Sequence, residues 1–189
     1  MNVEKTALDG VLVVTPKRFG DLRGFFSETW NQSLFAEKGI DVPFVQENHS
    51  LSRSAGTIRG LHCQAPPRAQ AKLIRVVRGR VVDVAVDVRR GSPSYGKWVS
   101  VELSAENGKQ LFVPVGFLHG FATLDADTEV LYKCSDFYAP ECEASVRFDD
   151  QEIGIDWGVE PGKVVLSDKD ARAQTFKDFL SPFVFEVTP

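Results

Sequence analysis

The chain has 189 residues, 43% of them hydrophobic, and sets 22 lysines and arginines against 26 aspartates and glutamates, a formal charge of −4. A chain of this length buries one sizeable core rather than two, so a single domain over residues 1–189 is expected, and the acidic balance without a basic stripe argues against a nucleic-acid partner. No run approaches the roughly 18 apolar residues of a membrane helix and residues 1–5 lack the apolar core of a secretion signal, so no membrane partner and a cytoplasmic location are expected.

In chain order, residues 11–15 form a short apolar run stopped by Pro16, and Asn31 is placed to cap a helix over residues 31–37. Residues 72–77 read as a strand, ended by Arg78-Gly79-Arg80. Residues 81–88 alternate, with Val82, Val84, Val86 and Val88 on one face and Asp83 and Asp87 on the other, the period of a half-buried strand. Further short strands are expected over residues 98–103, 110–113, 121–124, 128–137 and 145–148. Alternate residues of the run over 128–137 point the same way, so Tyr132, Cys134, Asp136 and Tyr138 are expected to share a face. A second helix is expected over residues 171–180 from its apolar spacing, with Asp170 a possible cap before it. Strands this short and this regularly spaced point to a sandwich or barrel. Cys63, Cys134 and Cys142 cannot all pair within one chain and form no CxxC, as expected of free thiols in a reducing compartment.

Two spacings carry more. Gly56, five residues, then His62, and Gly108, five residues, Pro114, one residue, Gly116, two residues, then His119, resemble the two motifs of the cupin superfamily. The resemblance implies an all-β cupin-type (jelly-roll) barrel with short peripheral helices. In metal-binding cupins the first motif continues with a histidine and a glutamate, where this chain has Gln64 and Lys72. A protonated lysine has no lone pair for a cation, so no metal and no cofactor are expected. An imidazole beside an ammonium is suited instead to removing a proton next to a carbonyl and stabilising the oxyanion that forms.

The stretches Asp21-Leu22-Arg23-Gly24-Phe25-Phe26-Ser27-Glu28, Gln46-Glu47-Asn48-His49-Ser50, Arg59-Gly60-Leu61-His62, Phe112 to Phe121 and Leu166-Ser167-Asp168-Lys169-Asp170 stand where the motifs of the dTDP-4-dehydrorhamnose 3,5-epimerase family stand. The chain resembles that family nearly end to end. One departure is Cys63, where the residue after the histidine is often aromatic. The resemblance implies an isomerase of dTDP-rhamnose biosynthesis, serving cell-surface polysaccharide. Its substrate is a dTDP-linked 4-keto sugar, whose C3 and C5 hydrogens are both acidified by one ketone. His62 is then the base, Asp170 its hydrogen-bond partner, Lys72 the enolate stabiliser and Tyr132 the acid on the opposite face, with Tyr138 lining the site. Arg23 and Arg59 suit phosphates, with Gln46 and Asn48 beside them and Lys169 near. Phe19 is expected to stack on thymine and Glu28 to accept from the base, both supplied across a homodimer interface. His119 is expected in the barrel interior or the sugar pocket, and His49 as a structural hydrogen-bonding residue. A single-centre epimerase of another deoxysugar pathway would use the same groups, and a non-catalytic sugar-binding cupin is the third reading.

Overall fold

The alternation of residues 81–88 is the key to the architecture: Val84, Val86 and Val88 join one apolar cluster, while Val81 and Ala85 join another on the opposite face. The structure is a computed structural model that describes residues 1–186. A six-stranded antiparallel sheet is ordered β1-β2-β10-β7-β12-β5. Its strands are β1 (Asn2–Lys5), β2 (Leu12–Thr15), β5 (Gln46–Ser52), β7 (Lys72–Arg78), β10 (Gln110–Val113) and β12 (Thr128–Cys134). A five-stranded sheet, ordered β13-β6-β11-β8-β9, faces it. It consists of β6 (Ile58–Gln64), β8 (Arg80–Asp87), β9 (Trp98–Ser104), β11 (Phe117–Thr123) and β13 (Glu143–Ser145). The strands β3 (Arg18–Asp21) and β4 (Gly24–Ser27) form a separate hairpin. This is the cupin-type jelly roll that the motif spacing implied.

Ile74, Val76, Leu111, Val113, Phe121 and Val130 meet Val81 and Ala85 between the sheets. Each such side chain contributes about 1.5–3 kcal/mol on leaving water. The outer face of the six-stranded sheet is covered by α1 (Gln32–Ala36), whose Phe35 packs on Leu73 and Phe112. Asn31 caps this helix, accepting from Leu34 N, as its sequence position predicts. The outer face of the five-stranded sheet is covered by the C-terminal segment through Ile153, Trp157, Phe176, Phe179 and Phe183.

Five expectations change. The strand expected over 121–124 begins at Phe117, which brings His119 into β11, and the one expected over 145–148 is β13, ending at Ser145. β12 ends at Cys134, so Asp136 and Tyr138 leave the sheet and do not continue the face of Tyr132. The helix expected over 171–180 is instead the short α2 (Asp168–Ala171). Phe176 and Phe179 enter the core cluster from non-helical chain, so their spacing served packing rather than helix formation. Ser167, not Asp170, is the cap, accepting from Asp170 N.

One irregularity sets the site. His119 is opposite His62 and Phe121 is opposite Arg59, so three steps along β6 match two along β11. This bulge turns both Arg59 and His62 inward, where strict alternation would oppose them. Gly60 makes it possible, with a φ of 122° and no side chain; a Cβ there would meet Gly120 Cα at 2.6 Å and His119 O at 2.7 Å. Gly60→Ala is therefore expected to cost about 2–4 kcal/mol and lower the thermal midpoint by roughly 5–10 °C. A calorimetric midpoint equal to that of the wild type would show that the bulge tolerates a side chain.

Candidate active site

Strands of both sheets direct polar side chains into one cavity of about 270 Å³ between them. Its walls carry Arg59 and His62 from β6, Lys72 from β7, His119 from β11, Tyr132 from β12, and Lys169 and Asp170 from α2. Seven residues singled out in the sequence thus meet in one place, although 108 positions separate His62 from Asp170.

His62 Nε2 lies 2.5 Å from Asp170 Oδ1. Asp170 Oδ2 accepts from Ser167 Oγ at 2.8 Å, which leaves the carboxylate fixed at both oxygens. The side chain of Asp170 is 6% exposed and that of His62 25%, so the imidazole faces the cavity while its partner is dry. Burial pushes the Asp170 carboxyl up, but the hydrogen bond and charge of His62, the Ser167 hydroxyl and the Lys169 charge outweigh it and hold the group below the usual carboxylate range. Asp170 therefore stays anionic, orients the ring and leaves the other ring nitrogen to accept a proton.

Lys72 opposes Cys134 of β12 across the ladder, and Tyr132 is two residues along on the same inward face. Burial lowers the Lys72 pKa, only partly offset by the neighbouring thiols, Glu143 and Asp83. Burial raises that of Tyr132, so its phenol is a neutral donor at ordinary pH. An ionised-carboxylate-bound imidazole, an ammonium and a protonated phenol around one void are chemically suited to abstracting a proton, stabilising an oxyanion and returning a proton.

Gln46 and Asn48 lie on β5, opposite Cys134 and Tyr132. The Gln46 amide donates to Asn48 Oδ1 at 3.1 Å and its carbonyl accepts from Tyr138 N at 2.9 Å. Tyr138 does not line the cavity; it is 56% exposed, and its hydroxyl donates to Glu143, which does. The three N-terminal candidates lie elsewhere. Phe19 and Arg23 are exposed on the β3–β4 hairpin, where Arg23 pairs with Asp21, and Glu28 lines a second cavity with Trp30, Arg75 and Lys133. His49 pairs with Glu129 on the surface, in keeping with its structural reading.

The sequence reading did not single out Ser50, Phe121, Glu143 or Ser167 as site residues, all of which line the cavity. Glu143 carries no local signal: it arrives through the pairing of β13 with Gln64 of β6. Gln64, in the place of a cupin metal ligand, donates its amide to Arg68 O and Phe137 O and accepts from Ala139 N, so its polar atoms are spent on backbone. No group of three His, Cys, Asp or Glu side chains suited to a metal occurs among the described residues.

Residues 5–178 match the family model described as dTDP-4-dehydrorhamnose 3,5-epimerase. The dTDP-4-dehydrorhamnose 3,5-epimerase of Shigella flexneri is 51% identical over 179 residues, covering 94% of this chain and 97% of that one. The crystal structure of the dTDP-6-deoxy-D-glucose-3,5-epimerase of Legionella pneumophila in complex with dTDP-4-keto-L-rhamnose superposes with a TM-score of 0.94 at 42% identity, over 98% of this chain and 99% of that one. A 3'-monoepimerase of Streptomyces bikiniensis in complex with dTDP-quinovose is similar at 36% identity and a TM-score of 0.82, over 90% of this chain and 85% of that one.

Proposed function

The chain belongs to the dTDP-4-dehydrorhamnose 3,5-epimerase family, and we infer that it is an isomerase converting dTDP-4-dehydro-6-deoxy-D-glucose to dTDP-4-dehydro-L-rhamnose. The single observation that carries the chemistry is the His62–Asp170 pair at 2.5 Å, opening on a cavity that also holds Lys72 and Tyr132.

His62 takes the proton from C3 or C5, each acidified by the C4 ketone. Its charge is balanced by Asp170 as the imidazolium forms. Negative charge grows on the C4 oxygen, where the Lys72 ammonium meets it. Tyr132 then delivers a proton to the other face of the planar enolate, and inversion results. One ketone serves both carbons, so the same base, acid and cation act twice. No metal or cofactor takes part in this scheme.

Arg59 and Lys169 stand in the cavity wall and suit the diphosphate, with Gln46 and Asn48 at its β5 edge and His119 against the sugar. Phe19, Arg23 and Glu28 reach a nucleotide only from a second copy of the chain, with Phe19 stacking on the base. The exposure of Phe19, Leu22, Phe25 and Phe26 on the β3–β4 hairpin supports such a homodimer, because apolar side chains clustered on one hairpin are suited to burial by a partner. Tyr138, beside Gln46 and Glu143, belongs to the rim of the same site. Three unpaired thiols fit a cytoplasmic setting, and no helix among the described residues is long and apolar enough to cross a membrane.

The test is turnover of dTDP-4-dehydro-6-deoxy-D-glucose in deuterated water, followed by NMR. Deuterium at both C3 and C5, with an L-rhamno product, is the expected result; deuterium at one carbon identifies a single-centre epimerase, and none a binding protein. In the same assay Tyr132→Phe should lower net epimerisation about 10²-fold or more while slowing exchange of the abstracted proton far less. Equal losses in both would remove Tyr132 as the donor.

A further inference from the structure

Two buried side-chain polar atoms lack a hydrogen-bond partner among the described residues, Ser50 Oγ and Asp83 Oδ2. Ser50 lines the cavity already described, where a sugar hydroxyl would satisfy it. Asp83 is different. It is fully buried, it sits inside the barrel between Val81 and Ala85, and nothing in the proposed reaction uses it. A carboxylate oxygen without a partner in an apolar interior is costly, so its retention calls for a reason.

Its surroundings supply one. Asp83 Oδ1 lies 2.8 Å from His119 Nε2, and His119 is the ladder partner of His62. The cavity therefore rests on two His–Asp pairs side by side, one fully bonded and one with an open oxygen. Lys72 shares the cavity with His119, and no hydrogen bond to a carboxylate holds its ammonium. The groups that face Lys72 leave few sources of negative charge. Cys134 on β12 and Cys63 on β6 are buried thiols, pushed up in the case of Cys63 to about 11, and both are neutral at ordinary pH. Tyr132 on β12 is a protonated phenol. Glu143 on β13 is engaged by Lys169 Nζ at 2.5 Å and by the Tyr138 hydroxyl at 3.2 Å. His62 on β6 is held by Asp170 and His119 on β11 by Asp83, so neither imidazole supplies negative charge. Asp83 on β8 is the carboxylate with an oxygen that no hydrogen bond occupies, and its charge adds to that of Glu143 in favouring the ammonium.

We propose that Asp83 is a positioning residue of this reaction: it fixes the His119 ring through Oδ1 and leaves Oδ2 as the counter-charge that keeps Lys72 an ammonium in a dry cavity. The cation is then present before substrate arrives, and the oxyanion at C4 completes a set of charges already half assembled. This rests on the reading of Lys72 as the enolate stabiliser.

The sign follows from electrostatics. A nearby anion favours the charged lysine, and its removal lets burial drive the proton off at lower pH. In Asp83→Asn, which keeps the shape and the acceptor for His119, the alkaline limb of the kcat/KM profile should move down by about one pH unit or more. The deficit against the wild type should widen from a few-fold near pH 6 to about tenfold or more near pH 8.5, with dTDP affinity changed little. Parallel profiles would make Asp83 a structural residue only and overturn the proposal. Should Asp83→Asn fail to fold, Lys72→Arg tests the same premise, because a guanidinium stays charged without a counter-ion. Its alkaline limb should move upward, and an unmoved limb overturns the proposal. Lys72→Met separates the two levels: a wild-type rate there removes Lys72 from the reaction altogether, whereas a loss of about 10²-fold or more combined with parallel Asp83→Asn profiles removes only the role of Asp83.

Discussion

His62→Ala is expected to lower kcat by about 10³–10⁴-fold and to abolish solvent hydrogen exchange at both C3 and C5. In the proposed scheme the imidazole held by Asp170 takes the proton: Lys72 carries no free lone pair while protonated, Tyr132 is held in its neutral form by burial, Asp170 has both oxygens occupied by His62 and Ser167, and the second imidazole, His119, is tied to Asp83. Removing the ring therefore leaves no acceptor in its place, and every later step waits on the first proton. Binding should suffer little, because the cavity retains Arg59 and Lys169 for the phosphates. Isothermal titration with dTDP, beside exchange followed by NMR, separates the two. Exchange at either carbon at the wild-type rate would mean that a different group removes that proton.

Asp170→Asn is expected to approach the same loss, about 10³–10⁴-fold in kcat, the scale seen when the carboxylate of a His–Asp pair becomes an amide. The physical reason lies in the tautomer. A carboxylate only accepts, so it obliges His62 Nε2 to carry the proton and leaves the other ring nitrogen as the base. An amide can present its NH₂ to Nε2 and stabilise the opposite, unreactive tautomer, and it brings no charge to balance the imidazolium. Because both residues act as one unit, the His62→Ala/Asp170→Asn double variant should be no slower than His62→Ala alone. Additive losses in the double variant would show that Asp170 acts on something besides His62, and a double-mutant cycle in kcat reads this directly.

The sequence by itself determined what is local. Period-two alternation placed Val84 and Val86 on one face of β8 and Asp83 on the other, as the structure has them, because in a strand each side chain's direction follows from the one before it. The same rule placed Tyr132 and Cys134 together, and a short polar side chain before an apolar run placed the α1 cap at Asn31. Residue chemistry alone argued that Gln64 and Lys72 were poor metal ligands. The alternation set Asp83 opposite the valines of a strand expected to be half-buried, whereas the structure buries both faces and leaves Asp83 Oδ2 without a partner.

Tertiary structure decided what depends on register and closure. Whether Arg59 and His62 share a face turned on a bulge at Gly60, which no alternation rule contains. The apolar spacing of residues 171–180 suited a helix, yet Phe176 and Phe179 were claimed by the outer face of the five-stranded sheet. Tyr138 left the face of Tyr132 because β12 stops at Cys134, and Glu143 entered the cavity because β13 pairs with β6. The His62–Asp170 contact joins residues 108 positions apart, and it exists because α2 closes against β6. Local chemistry is written in the order of the residues, whereas the distance between two of them is fixed only when the sheets pair, twist and pack.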